Sequence, residues 1–518
     1  MKRRKFIAGT LLASGVVATT GFLQACKEYS EVSAKRSPAF KPDVEFDLIS
    51  KTDKVNIFPN ELTEVYKYDF KLIKGDSANI QEIRNSYLGP VIRVKKGQKI
   101  RINYKNLLDE ESIVHWHGLH IPEEMDGHPR YAIDEDKEYI YEFKVMNRAG
   151  TYWFHPHPHG KTGPQVYGGL AGLFIVSDNE EDSLNLPKGK YDIPIVIQDR
   201  TFNSDNQLVY LQSPMEKMNG FLGEQILING RPNFKLSVSS KAYRFRLLNG
   251  SNSRIYKIAL SNGMPLIVIG NDGGLLKEPL TKNYIVLSPA ERIDMIIDFS
   301  GMELENKVEL ISLPFPNPNM GGGMMMGGSS GLPNGTQFKL AEFNINKIVN
   351  EPFQLPKKLS VIPQIDTSDA INLNNPRRFR FAMSRMSWTI NGRTFSMTDV
   401  ASDEKVKLNT SEIWEFINGG GRMGMGMMGG MMQMPHPVHI HQLQFRIVDR
   451  SSNNNSTLWQ SLKDGFIDNG WKDTFLLLPG MKVKILISFK DFPGLFLYHC
   501  HNLEHEDMGM MRNYLISS

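Results

Sequence analysis

All 13 histidines of this 518-residue chain fall into four short clusters: His115, His117, His120 and His128; His155, His157 and His159; His436, His439 and His441; His499, His501 and His505. Between residues 160 and 435 there is none. Histidines serving as ordinary surface or core residues would scatter, so the fold must let distant segments share one task. Imidazoles grouped in this way, with a cysteine among them, suit Cu, Zn or Fe.

The chain is far too long for one core, and about 150 residues per domain predicts roughly three domains. Alternating segments punctuated by turn residues recur throughout, as in Val91-Ile92-Arg93-Val94 followed by Lys95-Lys96-Gly97-Gln98, and no long helical periodicity stands out. With 44 Gly and 28 Pro, this patterning predicts an all-β fold of sandwich type. A polar break near Ser177 to Lys190 and a Pro/Lys-containing stretch near Asn350 to Lys358 divide the chain into blocks at 42–180, 190–348 and 358–518. Blocks two and three echo one another: Ile226-Leu227-Ile228-Asn229-Gly230-Arg231 and Thr389-Ile390-Asn391-Gly392-Arg393 each read as a strand followed by an Asn-Gly turn, which favours duplicated domains.

Residues 1–26 read as an export signal: Lys2, Arg3, Arg4 and Lys5, a mildly apolar stretch from Phe6 to Leu23, then Leu23-Gln24-Ala25-Cys26. Arg3-Arg4-Lys5-Phe6-Ile7 resembles a twin-arginine signal, and Leu-Gln-Ala-Cys resembles a lipoprotein cleavage box. The expectation is an exported monomer, periplasmic or held outside the cytoplasm by a lipid on Cys26 through a polar tether at 27–41. Four of the 60 basic residues belong to this leader, and the remaining 56 balance 56 acidic ones. That balance offers no electrostatic footprint for nucleic acid.

Only Cys26 and Cys500 are cysteines, and Cys500 lies between His499 and His501. In an extended chain alternate side chains face opposite ways, so His499 and His501 share one face while Cys500 points to the other. The same parity pairs His115 with His117, His155 with His157, and His439 with His441; His436, three residues before His439, need not join them. What remains for Cys500 is His436, then His505 and Met510 from the turn that follows. Two histidines, a thiolate and a weak thioether are the ligand set of a blue copper site. Structural zinc normally draws on more than one cysteine or on compact paired spacings, and neither is present.

At His115-Trp116-His117-Gly118, Trp153-Phe154-His155-Pro156-His157, His436-Pro437-Val438-His439-Ile440-His441 and His499-Cys500-His501 through His505 to Met510, the sequence resembles the multicopper oxidase family. The resemblance runs from about Gly89 to the C-terminus and includes Gly470-Trp471-Lys472-Asp473-Thr474. It implies three cupredoxin-like Greek-key β-sandwich domains, O₂ as electron acceptor and four copper ions. By the same resemblance, Cys500, His436, His505 and Met510 would hold the type 1 copper, and His115 and His439 the type 2 copper. His117, His155 and His501 would hold one type 3 copper; His157, His441 and His499 the other. Asp126 and Glu506 would relay protons to the cluster. His120, His128 and His159 fall outside the ligand pattern.

Two Met/Gly stretches predict loops, since so much glycine opposes regular strand or helix. Met320 to Met326 has no evident task. Met423, Met425, Met427, Met428, Met431, Met432 and Met434 end two residues before His436, at the rim of the blue site. Thioethers favour Cu(I), so these seven are expected to bind it as substrate. The Met/His-rich insertion common among cuprous oxidases before the segment matching Thr389 to Phe395 is missing. A laccase-like oxidation of phenols or aromatic amines is the alternative, and a non-enzymatic copper-scavenging lipoprotein the second.

Overall fold

Asn229 and Gly230 take φ of 53° and 74°, and Asn391 and Gly392 take 52° and 76°, as a two-residue hairpin turn requires. Asn229 accepts from the Val196 amide through Oδ1 and donates to the Pro194 carbonyl through Nδ2; Asn391 does the same with Arg380 and Arg378. Each anchored strand, Asp192–Arg200 and Arg377–Ser384, then runs parallel to the next long strand, Ala242–Asn249 and Thr410–Asn418. The echo read from the sequence is therefore a repeated structural unit.

This is a computed structural model, and it describes residues 36–318, 331–363, 365–384, 386–419, 434–452 and 456–518. The leader with Cys26, the tether to residue 35, Met320 to Met326, and Met423, Met425, Met427, Met428, Met431 and Met432 lie outside the described residues.

The fold is all-β, three cupredoxin-like sandwiches in series. Strands between Val44 and Ser177 form a four-stranded and a five-stranded sheet, those between Asp192 and Lys347 a seven- and a five-stranded sheet, and those between Arg377 and Ser517 two five-stranded sheets. Each pair encloses its own apolar core, around Phe46 and Trp116, around Phe245 and Leu310, and around Trp414 and Phe475 respectively. Among the described residues no helix is long and apolar enough to cross a membrane.

The polar break after Ser177 is more than a solvated linker. Asp178 caps the short helix Asn179–Asp182, accepting from the Glu181 amide, and the Glu181 carboxylate is buried against Arg244 and Arg246 of the second domain. Its polarity serves an ion pair between domains, which sequence patterning cannot distinguish from exposure.

Alternation positions the histidines. Trp116, between His115 and His117, is fully buried in the first core against Tyr141, Phe154 and Phe174. Burial of such a side chain contributes on the order of 3 kcal/mol and anchors the motif. Val438 and Ile440, flanking His439, sit in the third core, as does Cys500 between His499 and His501. At three of the four motifs the residue between two imidazoles, Trp116, Ile440 or Cys500, sits in a sandwich core, and the imidazoles face the seam between the first and third domains.

Candidate metal centre

Strand His436–Ile440 pairs with Gly494–Cys500, setting His439 opposite His499. Strand Val114–His115 pairs with Gly150–Pro156, setting His115 opposite His155. These edges meet, and His115, His117, His155, His157, His439, His441, His499 and His501 are all buried with exposures of 0–1%.

Across the seam, His115 Nε2 lies 3.3 Å from His439 Nε2, and within the third domain His441 Nε2 lies 3.1 Å from His499 Nε2. Two imidazoles bonded at about 2 Å to one ion come this close. Ligand nitrogens converge in buried triads: His115, His439 and His441; His115, His117 and His155; His157, His441 and His499. His501 joins none of these triads; its ring lies 5.2 Å from those of His117 and His155.

For five of these rings, hydrogen bonds to one nitrogen leave the other to be offered. His115 donates from Nδ1 to the Asp126 carbonyl at 2.6 Å, and His439 donates from Nδ1 to the Asp473 carbonyl at 2.8 Å. His441 Nδ1 meets Asp126 Oδ2 at 2.7 Å, and His155 donates from Nδ1 to the Pro156 carbonyl at 2.9 Å. His117 is the exception: its Nε2 faces Asp473 Oδ1 at 3.1 Å and Thr474 Oγ1 at 3.2 Å, leaving Nδ1. Among the described residues, His117 Nδ1, His155 Nε2 and both nitrogens of His157 and His501 are buried without a hydrogen-bond partner. Buried polar atoms are ordinarily satisfied, so this set fits metal ions.

Burial keeps these rings neutral, as ligation requires. It pushes His115, His117, His439, His441 and His501 well below the usual imidazole range, His155 to about 3 and His157 to about 4. Asp126 is pushed well up by burial. Burial would also raise Glu506, but the facing imidazoles of His499, 3.1 Å away, and His157, 3.4 Å away, outweigh it and hold the carboxyl below its usual range.

On the opposite face of the same strand, Cys500 Sγ lies 3.4 Å from His436 Nδ1 and 3.7 Å from His505 Nδ1. All three are fully buried, as is Met510, whose carbonyl accepts from the Cys500 amide and whose amide donates to the His505 carbonyl. His505 donates from Nε2 to the Met218 carbonyl at 2.9 Å, which also accepts from Trp388 Nε1 at 2.9 Å; the Trp388 ring lies 4.5 Å from His505 and 5.1 Å from His436. Burial pushes the Cys500 thiol well up, so a bound metal must displace its proton. Met434 is buried in the third core and its carbonyl accepts from Asn418 Nδ2.

The one-turn helix Leu503–Asp507 ties these parts together. Glu504 accepts from the Phe221 amide, Asn252 and Tyr210 of the second domain at 2.7–2.9 Å. His505 faces Cys500 and Glu506 faces His499, while Asp507 accepts from the Thr162 and Gly163 amides of the first domain. Sequence reasoning missed Trp388, Met218, Glu504, Asp507 and Arg292, and quoted Asp473 without giving it a task. The acids flanking His505 were the available signal. His120 meets Asp491, His128 meets Asn513 and the Arg130 amide, and the His159 ring packs on Phe395, so none of the three joins a metal-ligand group among the described residues.

Three cupredoxin-like sandwiches closing on a buried histidine cluster and one buried thiolate define a class of copper-dependent oxidoreductases. Sequence models of the family described as multicopper oxidase match residues 64–181, 192–306 and 370–518, and this chain belongs to that family. It is 33% identical over 492 residues to the multicopper oxidase mco of Staphylococcus haemolyticus, spanning 94% of this chain and 95% of the relative. It is 29% identical over 480 residues to a laccase of Bacillus subtilis, spanning 82% and 87%. The crystal structure of the McoA multicopper oxidase of Aquifex aeolicus is similar at a TM-score of 0.76 and 35% identity, over 92% of this chain and 97% of that one.

Proposed function

We propose that this chain is an exported oxidase coupling one-electron oxidation of a small reducing substrate, Cu(I) foremost, to four-electron reduction of O₂ to water. The observation that carries the reading is Cys500: its sulfur sits between His436 and His505 at 3.4 and 3.7 Å, while its neighbour His499 turns the other way to meet His441 at 3.1 Å. One backbone segment thereby serves both centres.

In this reading Cys500, His436, His505 and Met510 hold a type 1 copper, His115 and His439 a type 2 copper, and His117, His155, His501 and His157, His441, His499 the type 3 pair. Bound there, copper supplies the reversible one-electron chemistry that moves four electrons to O₂, which takes up four protons to give two waters. The peptide bonds joining Cys500 to His499 and His501 give a short covalent path between the centres. Asp126 and Glu506 touch cluster imidazoles, His441 in one case and His499 and His157 in the other, and carboxylates so placed can pass protons inward.

Complete burial of His505 beneath Met218 and Trp388 disfavours direct contact with a bulky aromatic donor. Met423, Met425, Met427, Met428, Met431, Met432 and Met434 supply soft ligands suited to Cu(I) immediately before His436. Laccase-like oxidation of small phenols or amines is the second reading, favoured by the Bacillus subtilis relative. The leader directs the chain out of the cytoplasm, with Cys26 as its lipid anchor.

Oxygen uptake with Cu(I), a phenol and an aromatic amine, before and after deletion of residues 419–430, tests the donor. Loss confined to Cu(I) is the expected result; unchanged Cu(I) oxidation contradicts it. Copper-binding protein that is colourless and consumes no O₂ with any donor would support the scavenger instead.

A further inference from the structure

The middle domain contributes no histidine, yet one of its side chains grips a carboxylate that faces the cluster. We propose that Arg292 is a positioning residue: by fixing the Asp473 carboxylate at the junction of all three domains, it determines which ring nitrogen His117 offers to copper. This rests on the copper assignment given above.

Arg292 is wholly buried on strand Arg292–Asp298. A guanidinium has five N–H donors, and every one is engaged. Nε donates to the Thr151 carbonyl of the first domain at 3.1 Å. Nη1 donates to the Ala290 carbonyl at 3.0 Å and to Asp473 Oδ1 at 2.7 Å. Nη2 donates to the Asp272 carbonyl at 3.0 Å and to Asp473 Oδ2 at 2.5 Å. The two parallel bonds to Asp473 form a bidentate fork, which fixes orientation as well as position.

Charge around the pair is supported in turn. Lys472 Nζ, also buried, lies 2.8 Å from Asp272 Oδ2 and 3.0 Å from Glu291 Oε1, and Asp272 Oδ1 accepts from the Arg292 amide. Held in this frame, Asp473 presents Oδ1 to His117 Nε2 at 3.1 Å, while Thr474 donates its hydroxyl to the same oxygen at 2.9 Å. His117 Nε2 is thus committed to an acceptor, and Nδ1 is left buried and unpartnered among the described residues.

Gly118 supplies an independent sign that this junction is built to close tolerance. Its φ is +84°, and a Cβ there would lie 2.4 Å from Asp473 Oδ2 and 2.8 Å from Arg292 Nη2. The residue after His117 has to be glycine because the ion pair occupies the space beneath it.

A simple strut between domains would also be buried and satisfied, so the test needs readouts specific to the ring. In full-length Arg292→Met, the ions of the histidine cluster should become extractable at about 10- to 100-fold lower concentration of a copper chelator, while the blue absorption of the Cys500 site per chain stays unchanged. In the metal-free protein, nitrogen NMR of labelled histidine should show His117 as the Nε2–H tautomer, and Arg292→Met should convert it to a mixture. Should Arg292→Met not fold, Arg292→Lys, which keeps the charge and loses the fork, should show the same changes in reduced degree. Unaltered chelator resistance and an unaltered His117 tautomer in the folded variant would overturn the proposal. A wild-type cluster that takes up no copper would instead sink the copper assignment, leaving the tautomer measurement to judge Arg292.

Discussion

Asp126 and Asp473 stand in the same relation to the histidines from opposite ends of the chain. Each accepts from one ring through its backbone carbonyl, His115 and His439 respectively, and faces a second ring with its carboxylate, His441 and His117. Each carboxylate crosses to the other domain, so the seam is stitched twice in mirrored fashion. They differ in their surroundings: Arg292 grips Asp473 with two bonds, whereas no lysine or arginine pairs with Asp126 among the described residues. One is held in a bidentate ion pair; the pKa of the other is pushed well up by burial with no such partner.

Asp126→Asn therefore separates the two tasks. The amide oxygen can still accept from His441 Nδ1, so the ring stays in place, but proton transfer is lost. Loss of a positioned acid or base typically costs about 10²–10⁴-fold. Oxygen consumption should fall by at least the lower figure, while anaerobic reduction of the blue site, followed by its absorption, keeps its wild-type rate. Unchanged turnover would remove Asp126 from the proton path.

Gly118→Ala is expected to be severe. Strain at a positive φ costs about 1–3 kcal/mol and overpacking a similar amount, and the contact at 2.4 Å is with a held carboxylate. Thermal unfolding should report a loss of about 2–6 kcal/mol, with copper loss from the histidine cluster preceding loss of the blue colour. A variant as stable as the parent would show that the junction yields.

Glu504→Gln probes the anchor beside His505. The carboxylate accepts from an amide, Asn252 and Tyr210, and a carboxamide has one acceptor oxygen and turns an NH₂ toward one of these donors. An unsatisfied buried donor costs about 1–3 kcal/mol. The expected outcome is destabilisation of that size in denaturant titration, with a shifted blue absorption because the helix that carries His505 moves. An unmoved spectrum would dissociate the anchor from the site.

His128 predicts a pH dependence of stability. Burial holds its pKa to about 4, below the ordinary 6.5, so the unfolded chain binds the extra proton first as pH falls. Stability from this residue is complete above pH 6.5 and is lost progressively down to pH 4, by about 3 kcal/mol in total. Urea unfolding of the metal-free protein at several pH values should show His128→Gln with a shallower acid slope than the parent. Equal slopes would mean that His128 does not stay neutral in the fold.

Local patterning in the sequence carried a large part of this architecture. Period-two alternation is enough to send Cys500 to one side and His499 to the other, and the same rule places Trp116 in the core between two seam-facing histidines. The Asn229 and Asn391 turns were legible because a left-handed pair of residues needs Asn-Gly. Arg292 was not legible: an arginine on an alternating strand reads as a solvated face, and its burial depends on Thr151 and Asp473 from two other domains. Glu504 and Asp507 stood in plain sight beside His505, but the tasks they perform were not legible, since their partners lie in distant segments. The polar break near Ser177 to Lys190 reads as a divider between blocks, but the burial of Glu181 within it against Arg244 and Arg246 was not legible, because buried ion pairs and exposed loops share a polar composition.

Copper-edge anomalous diffraction from copper-loaded crystals tests the central claim most directly. The account predicts one peak bounded by Cys500 Sγ and the Nδ1 atoms of His436 and His505, and a separate group of three among the eight seam histidines. Copper absent from Cys500, or bound there with no density in the seam, would contradict it.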